Sequence, residues 1–223
     1  MEPSSLTNIK NRIRVAAEAA GRDPQSVALM AVTKYSELAD IIPVITAAEI
    51  VHIGENRIAN AERWKSYEGR DTITLHMIGN LQRNKVRPAL DIFDSIDTVD
   101  TEKLAERIDT ISEKLIDVMI EVNISGEEVK HGCSITEFDA LSDRIISLNH
   151  LRLTGVFTMC PIDATSKFRE TIYNKASELA CGLEQMLGRK IERSYGMSGD
   201  FELAIKCGAT QVRIGRALFS EGR

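Results

Sequence analysis

Eight short apolar segments recur along the chain, separated by segments whose apolar residues have helical spacing. This alternation is typical of parallel strands joined by right-handed crossovers. A count of eight favours a closed barrel over an open doubly wound sheet. The predicted strands are Ala28–Thr33, Val51–Ile53, Thr74–Ile78, Ser95–Val99, Asp117–Val122, Arg152–Phe157, Glu192–Tyr195 and Gln211–Ile214.

A further helix is predicted ahead of the barrel, over Leu6–Ala20, because Ile9 and Ile13 fall on one stripe and Gly21 follows. The chain has 223 residues, 43% of them hydrophobic, which suffices for one substantial core. We therefore predict an α/β fold, a single-domain (β/α)8 TIM-type barrel over residues 1–223, preceded by an N-terminal helix. The predicted crossover helices are Leu38–Ala48, Ile58–Ser66, Arg83–Leu90, Thr101–Glu113, Ile135–Leu148, Ser166–Leu187 and Gly199–Cys207.

The composition argues against several classes of partner. The net charge is -5 and no block of lysine and arginine stands out, so nucleic acid is not expected. No stretch of about 18 apolar residues occurs, and the N-terminus lacks the features of a signal peptide, so no membrane partner is expected. The four cysteines lie far apart and away from histidine at metal-ligand spacing, which predicts a cytoplasmic protein with reduced thiols and no metal site.

Lys34 ends the first apolar run, just before a helical pattern. A lysine at the C-terminal end of a buried strand is partly removed from water, and desolvation lowers a lysine's pKa. The neutral amine is a nucleophile that can form a Schiff base with a carbonyl compound. An isolated lysine more often extends to solvent, so the case for chemistry depends on its surroundings.

Polar and glycine-rich segments follow the other predicted strands, and in barrel enzymes these strand ends form the active site. Ser198 is predicted to cap a helix after the seventh strand, and Gly215 and Arg216 follow the eighth. Barrels often bind phosphate between these two loops. A Schiff-base lysine and a phosphate site together suit a ligand with both an aldehyde and a phosphate. Pyridoxal 5'-phosphate and a phosphorylated sugar both qualify, so a class I aldolase stays open.

Five longer segments carry a more specific signal. They are Ala31-Val32-Thr33-Lys34, Gly54-Glu55-Asn56-Arg57, His76-Met77-Ile78-Gly79-Asn80-Leu81-Gln82-Arg83-Asn84-Lys85, Tyr195-Gly196-Met197-Ser198-Gly199-Asp200-Phe201 and Gly208-Ala209-Thr210-Gln211-Val212-Arg213-Ile214-Gly215. In order and spacing they resemble the pyridoxal phosphate homeostasis protein family over nearly the whole chain. The resemblance implies a barrel akin to the N-terminal domain of alanine racemase.

The resemblance also implies a cofactor and its contacts. Pyridoxal 5'-phosphate would be held as an internal aldimine on Lys34, with Arg213 facing the pyridine nitrogen. By motif position, the phosphate would be held by Ser198, Gly199 and Gly215, with Arg216 as a helper. The remaining implied contacts are Asn56 near the ring, Met159 as a wall of the pocket and His76 beneath it.

An arginine at the pyridine nitrogen disfavours protonation of that nitrogen, since like charges repel. A cofactor held in this way is a weak electron sink for carbanions. We therefore expect a monomeric carrier that stores pyridoxal phosphate, delivers it to apo-enzymes and controls the free aldehyde, without robust amino-acid turnover. The alternatives are a small racemase-like enzyme using the same cofactor and, less favoured, a class I Schiff-base aldolase.

Overall fold

The computed structural model describes residues 4–34, 36–127 and 129–219. Eight parallel strands pair in sequence order, and the last pairs with the first, so the sheet is a closed barrel. The barrel predicted from the alternation is therefore confirmed. The strands are β1 (Ala28–Val32), β2 (His52–Glu55), β3 (Thr74–Met77), β4 (Ser95–Val99), β5 (Ile116–Glu121), β6 (Leu151–Phe157), β7 (Glu192–Met197) and β8 (Gln211–Ile214).

Helices surround the barrel, with one ahead of the first strand as predicted. Two predicted helices begin or end as tighter 3-10 turns, at Glu62–Ser66 and Arg83–Lys85. The α-helices are α1 (Ser4–Ala19), α2 (Leu38–Ala47), α3 (Ile58–Ala61), α4 (Val86–Leu90), α5 (Glu102–Ile111), α6 (Phe138–Ile146), α7 (Ser166–Leu187), α8 (Phe201–Lys206) and α9 (Arg216–Phe219).

Two helices start later than predicted, and in each a carboxylate holds the preceding turn. The segment ahead of α6 stays non-helical because the Glu137 carboxylate accepts hydrogen bonds from the backbone N–H and hydroxyl of Ser134. Asp200 precedes α8, and its carboxylate accepts from the N–H of Met197 at 2.7 Å. The predicted cap at Ser198 is therefore wrong, since Asp200 occupies the cap position.

The main apolar core lies between the barrel and its helices. Outward-facing strand residues such as Ile53, Leu75 and Ile96 are fully buried there against helix residues that include Ile41 and Ile108. Each buried side chain of this size stabilises the fold by about 1.5–3 kcal/mol. Since the helices cover the outside of the barrel, the ends of the barrel are where polar side chains can meet a ligand.

The barrel interior is more mixed. Met30, Met119 and Phe157 are buried outside the helical cluster, and polar side chains lie with them. One example is Ser194, whose hydroxyl donates to the Gln211 side chain at 2.8 Å. Along the described ranges, no helix has both the length and the apolar character needed to cross a membrane.

Candidate functional site

Lys34 lies two residues beyond β1, at the end of the barrel where all the strands terminate. We call this opening the C-terminal mouth. The N–H of Thr33 still donates to the carbonyl of Gly54 at 3.2 Å, so the strand ladder carries the chain up to Lys34. The N–H of Ser36 donates to the carbonyl of Thr33 at 3.1 Å and closes a turn around the half-buried lysine.

A network of buried side chains holds this turn. The Glu55 carboxylate is fully buried, and its Oε1 accepts from the Thr33 hydroxyl at 2.6 Å and from Arg63 Nη2 at 2.7 Å. Arg63 also donates to the carbonyls of Thr33 (2.7 Å) and Ser36 (2.5 Å). Trp64 Nε1 donates to the same carboxylate oxygen at 3.3 Å. We call Thr33, Glu55, Arg63 and Trp64 the Lys34 clamp.

The predicted site residues, with the exception of His76, follow or end consecutive strands around the barrel. Met159 follows β6, Ser198 and Gly199 follow β7, Arg213 lies in β8, and the remaining residues follow β8, β1 and β2. These five strands are neighbours in the closed sheet, in the order β6, β7, β8, β1, β2. Segments that are far apart in the sequence therefore meet along one arc of the C-terminal mouth.

Asn56, directly after β2, is pressed against the next loop. A Cβ atom at Gly79 would collide with the carbonyl oxygen of Asn56, so the close approach of the two backbones requires glycine there. The Asn56 side-chain oxygen is buried and, among the described residues, has no hydrogen-bond partner. Leaving such an atom unsatisfied costs about 1–3 kcal/mol, which a ligand that donates a hydrogen bond would offset.

Arg213 is a buried cation inside the mouth, with only 3% of the residue exposed. Its Nη1 donates to the carbonyl and hydroxyl of Ser194, at 2.6 and 3.0 Å, and its Nη2 donates to the carbonyl of Thr158 at 2.9 Å. The guanidinium carbon lies 4.0 Å from the centre of the Phe157 ring. Burial lowers the pKa of Arg213 from its ordinary value, but a guanidinium remains protonated in proteins. The site therefore contains a fixed positive charge.

Ser198 and Gly199 form an exposed turn at the end of β7. The turn leaves the strand at Gly196, whose φ of 92° suits glycine and whose missing side chain makes room for Ala204. No described atom lies within 4 Å of the position a Cβ of Gly199 would occupy, so its backbone faces open space. Exposed N–H groups and a hydroxyl in such a turn are suited to an anion.

The carboxylate of Asp200 holds this turn in place through three hydrogen bonds. Besides accepting from the N–H of Met197, it accepts from the Tyr173 hydroxyl at 2.8 Å and from Arg169 at 3.2 Å. Burial, followed by the negative charge of Asp200, raises the pKa of Tyr173 well above its ordinary value. Tyr173 therefore stays protonated and serves as a hydrogen-bond donor to the turn.

Gly215 and Arg216 connect β8 to α9, which begins at Arg216. A Cβ at Gly215 would lie 3.5 Å from the carbonyl oxygen of Val32, next to the strand end that carries Lys34. Arg216 is exposed. The lysine turn and the β8 loop are thus adjacent, as pairing of β1 with β8 requires.

A cavity of about 370 Å³ opens beside this arc, lined by Met159, Met197 and Glu121 among others. Met159 is 41% exposed, so it forms part of the cavity wall at the surface. Glu121 is buried at the end of β5, and burial raises its pKa to about 7, assisted by Asp100 and opposed by Arg213. Its carboxyl group can therefore exchange a proton near neutral pH.

The structure separates His76 from the other predicted site residues. Its imidazole bonds to Asp97 at 2.9 Å and to the His52 ring at 3.0 Å, inside the barrel. Both histidines line a cavity of about 650 Å³ formed with Thr74, Asp117 and other residues near the beginnings of strands. His76 therefore faces the N-terminal end of the barrel, away from the strand ends next to Lys34, and not the underside of the cofactor pocket as predicted.

Sequence reasoning assigned no role to Glu55, Arg63 or Asp200. Glu55 did carry a signal, because it is a carboxylate directly after a buried strand segment. Nothing in the sequence marks Arg63 as part of the site, because an arginine within a helical pattern is usually exposed to solvent. Asp200 lies in one of the five motifs, but its contacts with a tyrosine, an arginine and the turn itself depend on the fold.

Comparisons with known proteins agree with this architecture. The family model for the N-terminal domain of alanine racemase matches residues 4–221. The pyridoxal phosphate homeostasis protein of Pseudomonas aeruginosa is 35% identical over 221 residues, which covers 96% of this chain and 93% of that protein.

Two solved structures are similar over almost their full length. The crystal structure of an unknown protein from Bifidobacterium adolescentis has a TM-score of 0.87 and 31% identity, covering 96% of this chain and 93% of that chain. PipY of Synechococcus elongatus with PLP bound has a TM-score of 0.79 and 32% identity, covering 95% of this chain and 100% of that chain. The chain therefore belongs to the pyridoxal phosphate homeostasis protein family, and its barrel has the fold of the N-terminal domain of alanine racemase.

Proposed function

We propose that this protein binds pyridoxal 5'-phosphate as an internal aldimine on Lys34 and acts in pyridoxal phosphate homeostasis, without robust amino-acid turnover. The observation that carries the proposal is the position of Lys34, just beyond β1, and of Arg213, in the paired strand β8, at one mouth of the barrel. Membership of the family and the PLP-bound relative PipY support the choice of ligand.

The donor set fits the chemistry of this cofactor. Lys34 would supply the amine for the aldehyde, and the turn of Ser198 and Gly199 offers a hydroxyl and backbone N–H groups for the phosphate. Gly215 and Arg216 lie beside the lysine turn and would complete the phosphate site. The buried oxygen of Asn56, which has no partner among the residues described, and the wall formed by Met159 would adjoin the ring.

When bound, pyridoxal phosphate supplies an electron sink whose strength depends on the protonation of its ring nitrogen. Arg213 is a buried, permanent cation, and placed at that nitrogen it would disfavour protonation. The hydrogen bonds of Arg213 to Ser194 and Thr158 number three, and a guanidinium has five N–H donors, so Arg213 can still donate to a neutral ring nitrogen. The residues thus favour holding the cofactor over using it.

We place this role in the cytoplasm and assign it to the monomer. The cysteines at 133, 160, 181 and 207 are free thiols, as expected in a reducing compartment. Storage, delivery to apo-enzymes and restraint of a reactive aldehyde all require reversible binding, which an imine provides.

Glu121 favours one alternative, a racemase-like enzyme. A carboxyl group with a pKa of about 7 at the mouth is suited to accept a proton from a substrate carbon. The carrier proposal and this alternative differ in one measurable property. An enzyme of this kind exchanges the α-hydrogen of an amino acid with solvent, whereas a carrier does not do so at catalytic rates.

The test is to incubate the purified, cofactor-loaded protein with a panel of amino acids in deuterated water and to follow loss of the α-proton by NMR. We expect no exchange above that of free pyridoxal phosphate, together with reactivation of an added apo-enzyme by the loaded protein. Rapid exchange that disappears in Glu121→Gln would replace the carrier with a racemase-like enzyme.

A further inference from the structure

The carboxyl group of Glu121 is buried at the C-terminal mouth without a partner among the described residues. Glu121 ends β5 and is 4% exposed, and within the described ranges its side chain makes neither a hydrogen bond nor an ion pair. Burying an acidic group without a partner is unfavourable. A ligand that supplies the missing contact would therefore gain from binding at this position.

The strand itself directs Glu121 into the cavity beside the mouth. Alternate residues of a strand face opposite sides of the sheet. Asp117 and Met119 line the cavity at the N-terminal face, and Glu121, two residues further on, lines the cavity of about 370 Å³ at the other end. Val118 and Ile120 lie in the main core instead. The position of the carboxyl group thus depends on a barrel strand and not on a loop.

The opening of the same cavity is surrounded by exposed apolar side chains. Val129 and Ile162, on the loops after β5 and β6, are 90% and 93% exposed, and Met159 and Met197 are 41% and 36% exposed. We call these four residues the apolar rim. Single exposed apolar residues are ordinary, but a group of them around one cavity indicates contact with a ligand or a partner. A ligand with an apolar chain and one polar end suits such a cavity.

The charges around the cavity decide which polar end fits. Lys130 is paired with Glu127, and Arg213 donates hydrogen bonds to backbone carbonyls. Asp100, just beyond β4, adds a negative charge that acts on Glu121. A cationic ligand would give Glu121 the opposite charge it lacks, whereas an anionic ligand would be repelled by both carboxylates.

We propose that this cavity binds a primary ammonium group carried on an apolar chain, with Glu121 as its counter-ion and the apolar rim around the chain. A lysine side chain has this chemistry, because it is an ammonium on a flexible four-carbon stem. Enzymes that use pyridoxal phosphate hold it on a lysine, so the lysine of a recipient protein is a ligand that delivery requires. The inference deepens the proposed function and rests on it for this purpose.

The cavity adjoins the groups assigned to the cofactor without overlapping Lys34. Met159 belongs to the cavity wall, and the charges of Glu121 and Arg213 act on each other. In the closed sheet β5 lies on the side of the barrel opposite β1. An amine bound at Glu121 would therefore lie next to the cofactor and would not take the place of Lys34.

Binding of an ammonium group at Glu121 depends on pH. Burial raises the pKa of Glu121 to about 7, so its carboxyl group is mostly protonated at pH 6 and mostly ionised at pH 8. A primary amine with an ordinary lysine pKa of about 10.4 stays charged at both values. The other ionisable groups around Glu121 lie after β4, β5 and β6 and in β8, and they are Asp100, Glu127, Lys130, His131, Cys133, Cys160 and Arg213.

The test titrates the cofactor-free, full-length protein with n-butylamine, which has the charge and stem of a lysine side chain, and with n-butanol as the uncharged control. Isotope labelling of the methionine methyl groups lets the NMR signals of Met159 and Met197 report on the cavity. Glu121→Gln keeps the size of the side chain and removes its charge. The matched control is Asp117→Asn, which removes the same charge from the same face of β5 at its other end.

We expect n-butylamine to shift both methionine signals, with affinity about tenfold higher at pH 8 than at pH 6. Glu121→Gln should weaken binding of the amine about tenfold or more and abolish the pH dependence, and Asp117→Asn should change neither. His131→Gln should keep the pH dependence, although histidine is the residue type that ordinarily changes charge in this range. Equal binding of n-butanol, or unchanged binding of the amine by Glu121→Gln, would overturn the site.

Two blocked amino acids distinguish a free amine from the lysine of a partner protein. We expect Nα-acetyl-lysine N-methylamide to bind as n-butylamine does, and Nα-acetyl-norleucine N-methylamide, which lacks the ammonium group, to bind about tenfold more weakly or less. Binding of n-butylamine alone would overturn the assignment to a recipient's lysine.

The apolar rim is tested by replacing Val129 and Ile162 together with serine, since both side chains are almost fully exposed and the core is left intact. We expect this variant to bind the blocked lysine about threefold more weakly, and unchanged affinity would overturn the role of the rim. If the wild-type protein forms no imine at Lys34, the proposed function fails. These titrations still decide whether the amine site exists, because they use protein without cofactor.

Discussion

The two ends of the barrel both contain buried polar side chains, but they satisfy them differently. At the N-terminal face, His76 bonds to both His52 and Asp97, and the hydroxyl of Ser95 donates to Asp97 at 2.5 Å. At the C-terminal mouth, the side-chain oxygen of Asn56 has no partner within the described ranges.

This difference separates stabilising polar groups from groups available to a ligand. A closed network contributes to stability and gains little from a ligand, because its donors and acceptors are already paired. An unpaired buried group gains a hydrogen bond when a ligand arrives. The cavity at the N-terminal face is larger than the cavity beside the mouth, at about 650 against 370 Å³, but the two histidines that line it are already hydrogen-bonded to each other.

In ligand binding, the largest expected contrast between the two ends is at their lysines. At a pyridoxal phosphate concentration near 100 times the dissociation constant, a ligand stabilises its protein by about 2.7 kcal/mol. For a protein of this size that raises Tm by roughly 5–10 °C. We expect Lys34→Ala to lose most of this rise and Lys190→Ala, at the N-terminal face, to keep it. Thermal unfolding with and without the ligand checks both, and equal losses would contradict the contrast.

The second prediction concerns the His76–Asp97 pair and the free energy of unfolding, not ligand binding. Burial opposes the charged form of His76, but the charge and hydrogen bond of Asp97 raise its pKa overall. A raised folded-state pKa contributes stability that is complete below the ordinary pKa of histidine and is lost as pH rises through the raised value. We expect Asp97→Asn to cost about 3 kcal/mol near pH 5.5, and less at pH 8.5. Urea unfolding at the two pH values measures this cost.

The same variant should bind pyridoxal phosphate with unchanged affinity, since the network faces away from the mouth. If the loss of binding free energy exceeded the loss of unfolding free energy, the two ends would be coupled. His76 would then contribute to cofactor binding after all.

Arginines at the two ends should differ in how their loss changes the affinity for pyridoxal phosphate, and this effect is smaller than that of Lys34. Arg213→Gln removes charged hydrogen bonds to strand carbonyls, which costs about 1.5–3 kcal/mol of stability, and we expect affinity for pyridoxal phosphate to fall about tenfold. Arg189 also donates to a strand carbonyl, that of Leu153 at 2.5 Å, but it lines the N-terminal cavity. Arg189→Gln should lower stability and leave affinity as it was. Ligand titrations and urea unfolding of both variants separate the two outcomes.

The smallest expected effect is at Glu121. Its folded-state pKa is raised to about 7, chiefly by burial, so stability is lost as pH rises from the ordinary glutamate value through 7. Glu121→Gln does not ionise, so its stability relative to the wild type should rise by about 1–2 kcal/mol between pH 4.5 and 8. Parallel pH curves for Glu121→Gln and the wild type would refute this account of its burial.

The sequence was most informative where periodicity and topology decide the structure. Strands β4 and β8 have the bounds predicted from their apolar runs, and the parallel order places Lys34, Asn56 and Gly215 at one mouth. The alternation of strand-like and helix-like segments predicts the parallel direction and the number of the strands, and each segment is recognised from its local pattern.

The sequence was least informative where contacts between residues far apart in the chain determine the position of a side chain. His76 points into the barrel, but only the register with His52 and Asp97 determines that it joins the N-terminal network. The ion pair of Arg63 with Glu55 likewise depends on how the segment after α3 folds back over the Lys34 turn. Periodicity does not carry this information, because it constrains which face is buried and not which side chains meet.

The proposed function requires a covalent bond between Lys34 and pyridoxal phosphate. The direct measurement is an absorbance spectrum of the purified protein with pyridoxal phosphate, followed by borohydride reduction and peptide mapping of the wild type and Lys34→Ala. We expect a yellow imine band, with the reduced cofactor found on the peptide containing Lys34 and absent from Lys34→Ala. No band and no adduct at Lys34, or an adduct that persists on another lysine in Lys34→Ala with the same affinity, would contradict it.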